Sequence, residues 1–403
     1  MGMDKRGMAL LAFGHLTDDI NQSFIAAVLP FLIISLHLSY TAAATLVLGQ
    51  AISSSVIQPA IGHLADKRAL PWLIPVGLLL AGGGIAFMGI APSFGWAFLA
   101  ALVSGIGVAC FHPEAARFAN YLAGEKKATG MRWFAAGGNV GFAIGPLFAT
   151  AAIATWGLRG TLAAIVPVSI LALLIFIDIP RLKTFLPARR KAGTLPEFGD
   201  DWTSFVKLSL FVTVRSMTYL GMVTFIPLYA IGVLHYAPAI GATLLTTFLL
   251  SGVLGTIAGG PLADRFGRRV ILLGSMAGSC LLVAGFVALT HNGTTPIAVV
   301  FALAAVTGFA LVASQTAFIV LGQEYLPNRL GVASGVTLGL GVSLGGMFTP
   351  VLGAIADAHG LSASLLTIAA LCLIALGFAF TLPLHARKLP YVKSGNPKIA
   401  SAS

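Results

Sequence analysis

The 403-residue chain is 57% hydrophobic and only 9% charged, with a mean hydropathy of +0.94 and a formal net charge of +11. Soluble domains carry about 25% charged residues, so the composition excludes an ordinary soluble globular protein and points to membrane spans of about 20 apolar residues each. The basic excess is dispersed over alternate connections, with no contiguous basic face to follow a phosphate backbone, which argues against nucleic-acid binding.

Apolar runs of span length fall at 8–36, 41–65, 70–91, 94–118, 129–156 and 160–179, and after a polar interval at 204–234, 239–263, 269–290, 295–321, 330–357 and 361–383. Backbone groups in lipid must satisfy their hydrogen bonds internally, and the runs are too long for barrel strands. The expectation is an all-α membrane protein of twelve transmembrane helices in two six-helix lobes, residues 1–179 and 204–383. A cytoplasmic linker at 180–203 contains Pro180, Pro187 and Pro196 and ends in Glu197, Asp200 and Asp201. The tail at 384–403, rich in Pro, Lys and Ser, reads as disordered. Lys5 and Arg6 ahead of the first run resemble the start of a signal peptide. That run continues through His15, Asp18 and Asp19 to Leu36 with no small-residue cleavage site, so it reads as a retained span.

Orientation follows from Lys and Arg. One set of connections holds Lys5, Arg6, Lys67, Arg68, Lys126, Lys127, the cluster from Arg181 to Lys191, Arg265, Arg268, Arg269, Arg329 and the basic tail; the opposite set holds Arg159 alone. The positive-inside rule then places both termini in the cytoplasm of an inner-membrane protein. Cys110, Cys280 and Cys372 sit within apolar runs without metal-ligand spacing and read as small buried hydrophobes.

Ionisable groups at bilayer depth cost on the order of 2.5–3.5 kcal/mol, so each is a functional candidate. In the first span His15, Asp19 and Gln22 share one helical face, with Asp18 beside them, and Asp19 lies about 16 Å along the axis, near the midplane. Two adjacent carboxylates there do not both ionise easily, which suits a proton carrier; an inward face hydrogen-bonded to neighbouring helices is the structural alternative. In the fourth span Glu114 and Arg117 are spaced to pair, as a second proton site or gate, or as a snorkelling arginine with its counter-ion. Arg215 has no acidic neighbour on its own helix. With Tyr219 one turn on, it reads as a contact for an anionic substrate, as a partner for a carboxylate of the first half, or as a structural residue. Asn139, Gln315 and Thr316 are weaker polar candidates. Glu324, Arg329 and Asp357 read as boundary residues, and His63 and His112 are too isolated to read as metal ligands. The chain has no phosphate-binding Gly-rich loop, zinc spacing or nucleophile elbow. No enzyme activity, cofactor or metal is expected, and the energy source should be an ion gradient.

Glycines recur in the fifth span, Gly137-Gly138-Asn139-Val140-Gly141 through Gly145-Pro146, and in the eleventh, at Gly339, Gly341, Gly345, Gly346 and Gly353. Small residues four apart let helix backbones approach closely. A charged turn also repeats. Gly260-Pro261-Leu262-Ala263-Asp264-Arg265-Phe266-Gly267-Arg268-Arg269 is echoed, about half the chain earlier, by Gly62-His63-Leu64-Ala65-Asp66-Lys67-Arg68.

That repeated turn resembles the signature loop of the major facilitator superfamily; the first copy departs from it, with Ala69 where the second glycine would stand. Gly141, Gly145 and Pro146 resemble the superfamily's antiporter motif. A closer resemblance is to its fosmidomycin-resistance branch. It rests on His15-Leu16 with Asp19 and Gln22-Ser23, Gln58-Pro59 with Gly62, Pro71-Trp72 with Pro75, Phe111-His112-Pro113-Glu114 with Arg117, and Gly137-Gly138-Asn139. Asp18 departs from that pattern, which has asparagine there. The resemblance implies a monomeric, proton-coupled antiporter exporting a small drug-like molecule such as a phosphonate antibiotic. Asp19, Asp18 and Glu114 are the proton candidates, and His15, Gln22, Asn139, Arg215, Tyr219 and Gln315 the substrate contacts. Gly62, Asp66, Gly260, Asp264, Arg265 and Arg268 are read as gating. The rival readings are a proton-coupled importer of a small organic anion or sugar, and a membrane receptor or membrane-embedded enzyme.

Overall fold

The computed structural model describes residues 2–67, 69–124, 127–185, 199–327, 329, 332–333, 336–337 and 341–383. Most of the linker expected at 180–203 and the whole tail from 384 lie outside the described residues. Within them the chain is helical, with no strand. The first half contributes α1 (Lys5–Leu36), α2 (Tyr40–Lys67), α3 (Leu73–Met88), α4 (Phe94–Leu122), α5 (Lys127–Trp156) and α6 (Ile165–Leu182), with a 3₁₀ stretch Gly157–Ala164 before α6. The second half contributes α7 (Trp202–Gly232), α8 (Pro238–Phe266), α9 (Arg268–Thr290), α10 (Ile297–Val312), α11 (Gln315–Tyr325), α12 (Gly341–Gly346), α13 (Thr349–His359) and α14 (Leu361–Phe380). Nine helical stretches among the described residues are long and apolar enough to cross a membrane, α3 is a shorter apolar helix, and the eleventh expected run falls partly outside the described residues.

Polarity is inverted relative to a soluble protein. Large apolar side chains such as Leu281, Phe176 and Leu254 face outward, whereas Asp18, Asn21, Gln50, Glu114 and Arg215 are buried. Outward apolar groups meet lipid tails at no cost, and buried polar groups find partners inside the bundle.

Close helix contact explains much of the glycine. Along α5, a Cβ on Gly137 or Gly141 would come within 2.1 Å of the carbonyl oxygens of Ala12 or Leu16, and one on Gly145 within 2.1 Å of Ser23 Oγ. This stripe seats α5 directly on the backbone of α1 and fixes the height at which the polar face of α1 meets its neighbours. In the second half, Gly345 packs on Ser216 and Met217 of α7 in the same manner. The two halves meet where α2 packs on α12 and α13, α5 on α8, and α1 on α7.

The tenth expected span is not one helix. It breaks at Ala313–Ser314 without glycine or proline. The carbonyls of Ala310 and Leu311, which would close the ladder across the break, instead accept side-chain hydrogens. Ser275 Oγ donates to Ala310 O at 2.6 Å and Arg215 Nη2 to Leu311 O at 3.2 Å. Side-chain capture of the ladder is a recognised cause of such breaks.

Candidate functional site

The polar face of α1 meets α4 and α5 within the first half. His15 is held by its ring: Nδ1 lies 2.9 Å from the carbonyl oxygen of Phe134, and the ring stacks on Phe134 with centroids 4.2 Å apart. Its other nitrogen, Nε2, lies 3.2 Å from Nε2 of His112 on α4. Asp19 completes the group, with Oδ2 3.4 Å from His15 Nε2 and Oδ1 3.4 Å from His112 Nε2. Gln22 donates to Asp19 Oδ1 at 2.9 Å. His112 Nδ1 lies 3.1 Å from the Val108 carbonyl oxygen and 3.3 Å from Oδ2 of the fully buried Asp18. Gly138 permits this arrangement, because a Cβ there would lie 2.5 Å from the His15 ring and 2.6 Å from Asp19 Oδ2.

The histidine read as isolated is therefore a member of the cluster. Its 97-residue separation from His15 hides the contact from any local pattern. The donor atoms of His15, Asp19 and His112 lie within 4.8 Å of one another, the one group among the described residues with spacing suited to a cation.

The remaining candidates are placed differently. Glu114, two residues beyond His112, is turned away from the cluster: Oε1 accepts from Leu70 N and from Arg117 Nη2, each at 2.7 Å. The carboxylate thus anchors the α2–α3 connection. Asn139 is exposed beside Gly138. Arg215 is buried in the second half, with its guanidinium carbon 5.1 Å from the Tyr219 ring centroid and 5.5 Å from that of Phe318. Its polar bond goes to the Leu311 carbonyl, and no carboxylate pairs with it among the described residues. Tyr219 in turn stacks on Phe248 and lies within electrostatic reach of Asp19. Gln315 opens α11 at the break.

A cavity of about 80 Å³ lies between the halves, lined by Gln22, Gln50, Val108, Phe142, Leu220 and Val223 among others. Drug-sized ligands occupy roughly 300–1,000 Å³, so this cavity in its present form admits water or ions. A larger groove of about 510 Å³ runs along α1 and α5 past Phe13, Trp133 and Val140, with Lys5 its only charged lining residue, and includes none of the cluster.

The repeated turn behaves as a helix junction. Gly267, at φ +92°, separates α8 from α9 by one residue, a conformation that glycine adopts without strain. Asp264 and Arg265 are exposed. Arg268 pairs with Glu324 of α11 rather than with Asp264, and Arg269 donates to the terminal carbonyls of α14, Ala379 at 3.3 Å and Phe380 at 2.6 Å. A Cβ on Gly260 would meet the Thr316 methyl at 3.6 Å, an ordinary contact. The surroundings of Gly62 and the side chain of Asp66 lie outside the described residues. At the end of the bundle away from the basic connections, Asp357 on α13 accepts from the backbone N–H groups of Tyr40 at 2.7 Å and Thr41 at 2.9 Å, so a residue read as a boundary ties the halves together.

Residues 11–350 match the family described as Major Facilitator Superfamily. The chain is 29% identical over 360 residues to the fosmidomycin resistance protein of Escherichia coli (strain K12), covering 87% of this chain and 86% of that one. It is 31% identical over 387 residues to the uncharacterized MFS-type transporter YfnC of Bacillus subtilis (strain 168), covering 93% and 92%. Among solved structures, a bacterial homolog of the human lysosomal transporter Spinster, inward-facing and occupied, superposes with a TM-score of 0.76 at 16% identity over 93% of this chain and 95% of that one. The nucleoside transporter NupG superposes at 0.73 and 15% identity over 94% and 99%.

Proposed function

Because the chain belongs to the Major Facilitator Superfamily, we propose that it is a proton-coupled antiporter that exports a small anionic drug, with a phosphonate such as fosmidomycin as the first candidate. The observation that carries this reading is the group of buried Asp18 and Asp19 with half-buried His15 and His112 on α1 and α4, beside the cavity between the halves. A cluster of ionisable groups packed between helices has no structural need that apolar residues would not meet more cheaply. Asp19 is the coupling carboxylate, with Asp18 and Glu114 as further buried carboxylates. Arg215, a buried cation without a paired carboxylate among the described residues, supplies charge for an anionic substrate; Tyr219, Gln22 and Gln315 are the further substrate contacts of this reading.

In this reading residues 1–179 and 204–383 are the two lobes of a twelve-helix monomer in the cytoplasmic membrane, both termini cytoplasmic, rocking about a site between them. The Asp357 contact closes the outer end, and the Arg268–Glu324 pair, with the turns around Asp66 and Asp264, belongs to the cytoplasmic gate. The relative from E. coli is named for fosmidomycin resistance, which supports the substrate class. A susceptibility panel in a host stripped of its own pumps, with fosmidomycin included, tests this reading. Raised resistance to fosmidomycin or another small anion is expected. Unchanged sensitivity throughout, with substrate added on the external side acidifying the cytoplasmic side, would instead identify a proton-coupled importer.

A further inference from the structure

The hydrogen-bond partners of the two histidines determine where their protons sit. A backbone carbonyl oxygen only accepts, so His15 Nδ1, 2.9 Å from Phe134 O, carries hydrogen, and so does His112 Nδ1, 3.1 Å from Val108 O. The Asp18 carboxylate, 3.3 Å from that same Nδ1, favours the same tautomer. A neutral imidazole has one N–H. Both Nε2 atoms therefore present lone pairs, and these stand 3.2 Å apart. Each also faces an oxygen of Asp19 at 3.4 Å. The Gln22 amide donates to Asp19 Oδ1. Two lone pairs and a carboxylate converge with no hydrogen between them, a repulsive arrangement that low dielectric strengthens. One proton between the nitrogens turns the repulsion into an N–H···N bond and gives Asp19 a cationic neighbour.

We infer that His15 and His112 jointly bind the coupled proton as a bridge between their Nε2 atoms, with Asp19 as its counter-ion. This rests on the proton-coupled reading above and moves the carrier from the carboxylate to the histidine pair. A hydronium ion on one side gives its proton to an existing lone pair and leaves as water, with no bond of the cluster broken, and the proton departs from the same nitrogens to water on the other side. The ionisable groups facing the bridge are Asp18 and Asp19 from α1, Cys110 beside Asp18 on α4, and Tyr219 of α7 near Asp19. From α5 come the Phe134 ring and carbonyl and the bare Gly138 backbone.

The test is nitrogen NMR of 15N-histidine-labelled wild-type protein in nanodiscs, with the two rings assigned through His15→Gln and His112→Gln. At alkaline pH both rings should show the Nδ1–H tautomer, the minor form of free histidine. On acidification they should change together, sharing one proton, and a chelator should leave the spectra unaltered. An Nε2–H tautomer on either ring, or two independent titrations, would overturn the bridge. Spectra altered by a chelator and restored by zinc would overturn it as well, because a metal ion would then hold the lone pairs. Coupled proton movement that persists while the rings show Nε2–H defeats the bridge alone. Absence of proton movement in the wild type defeats the transport reading itself.

Discussion

A methyl group at position 138 would lie 2.5 Å from the His15 ring and 2.6 Å from Asp19, so Gly138→Ala forces the ring out of its stack on Phe134. Overpacking of this kind costs about 1–3 kcal/mol. The expected outcome is a lowered melting temperature in detergent together with loss of proton-coupled transport; transport at the wild-type rate would show that the cluster geometry is irrelevant. Arg215→Gln removes the buried guanidinium together with its contacts to Tyr219, Phe318 and the Leu311 carbonyl. Charge-assisted hydrogen bonds contribute about 1.5–3 kcal/mol, so apparent affinity for fosmidomycin should fall roughly 10- to 100-fold, read as KM in vesicles, while the histidine spectra stay unchanged. At this scale the sequence was informative only within one helix. Spacing places His15, Asp19 and Gln22 on one face of α1, but His112 and Phe134 reach that face from α4 and α5. No local periodicity could join them, and the Phe111-His112-Pro113-Glu114 stretch was the one signal that marked the partner helix.

Among helices, the contact between Asp357 and the start of α2 has a consequence for opening. The carboxylate satisfies amide hydrogens that a helix start leaves unpaired, at Tyr40 and Thr41, and it comes from the other half of the chain. Separation of the halves at this end must break it. Asp357→Ala should therefore widen the distance distribution between spin labels at Ser39 and His359 in the substrate-free protein, with a shift of about 1–3 kcal/mol towards the open form; an unaltered distribution would mean that the contact follows closure without favouring it. The glycine stripe of α5 was legible as a packing surface, because residues four apart lie on one helical face. The break between α10 and α11 was not, since its cause is capture of the Ala310 and Leu311 carbonyls by Ser275 and Arg215 from α9 and α7. The signature turn was legible as a motif, yet the partner of Arg268, Glu324 on α11, depends on how the helices pack.

For the whole molecule, hydropathy and the repeated turn were enough to indicate the superfamily fold, because a lipid environment leaves helices as the available spanning structure and the duplication shows in sequence. The asymmetry of Lys and Arg predicts a topology as well. Alkaline phosphatase fused after Arg159 should be active and after Arg265 inactive; the opposite pattern would reverse the membrane orientation and with it the direction of transport. The cavity between the halves, about 80 Å³, is smaller than the roughly 300–1,000 Å³ that drug-sized ligands occupy, so in the proposed cycle the halves move to admit substrate and that motion is coupled to the cluster. This coupling is tested most directly by fosmidomycin-driven proton movement in proteoliposomes, comparing wild type with Asp19→Asn. Counter-movement of protons is expected in the wild type and its loss in the variant, with fosmidomycin binding retained. Wild-type coupling in Asp19→Asn would contradict it.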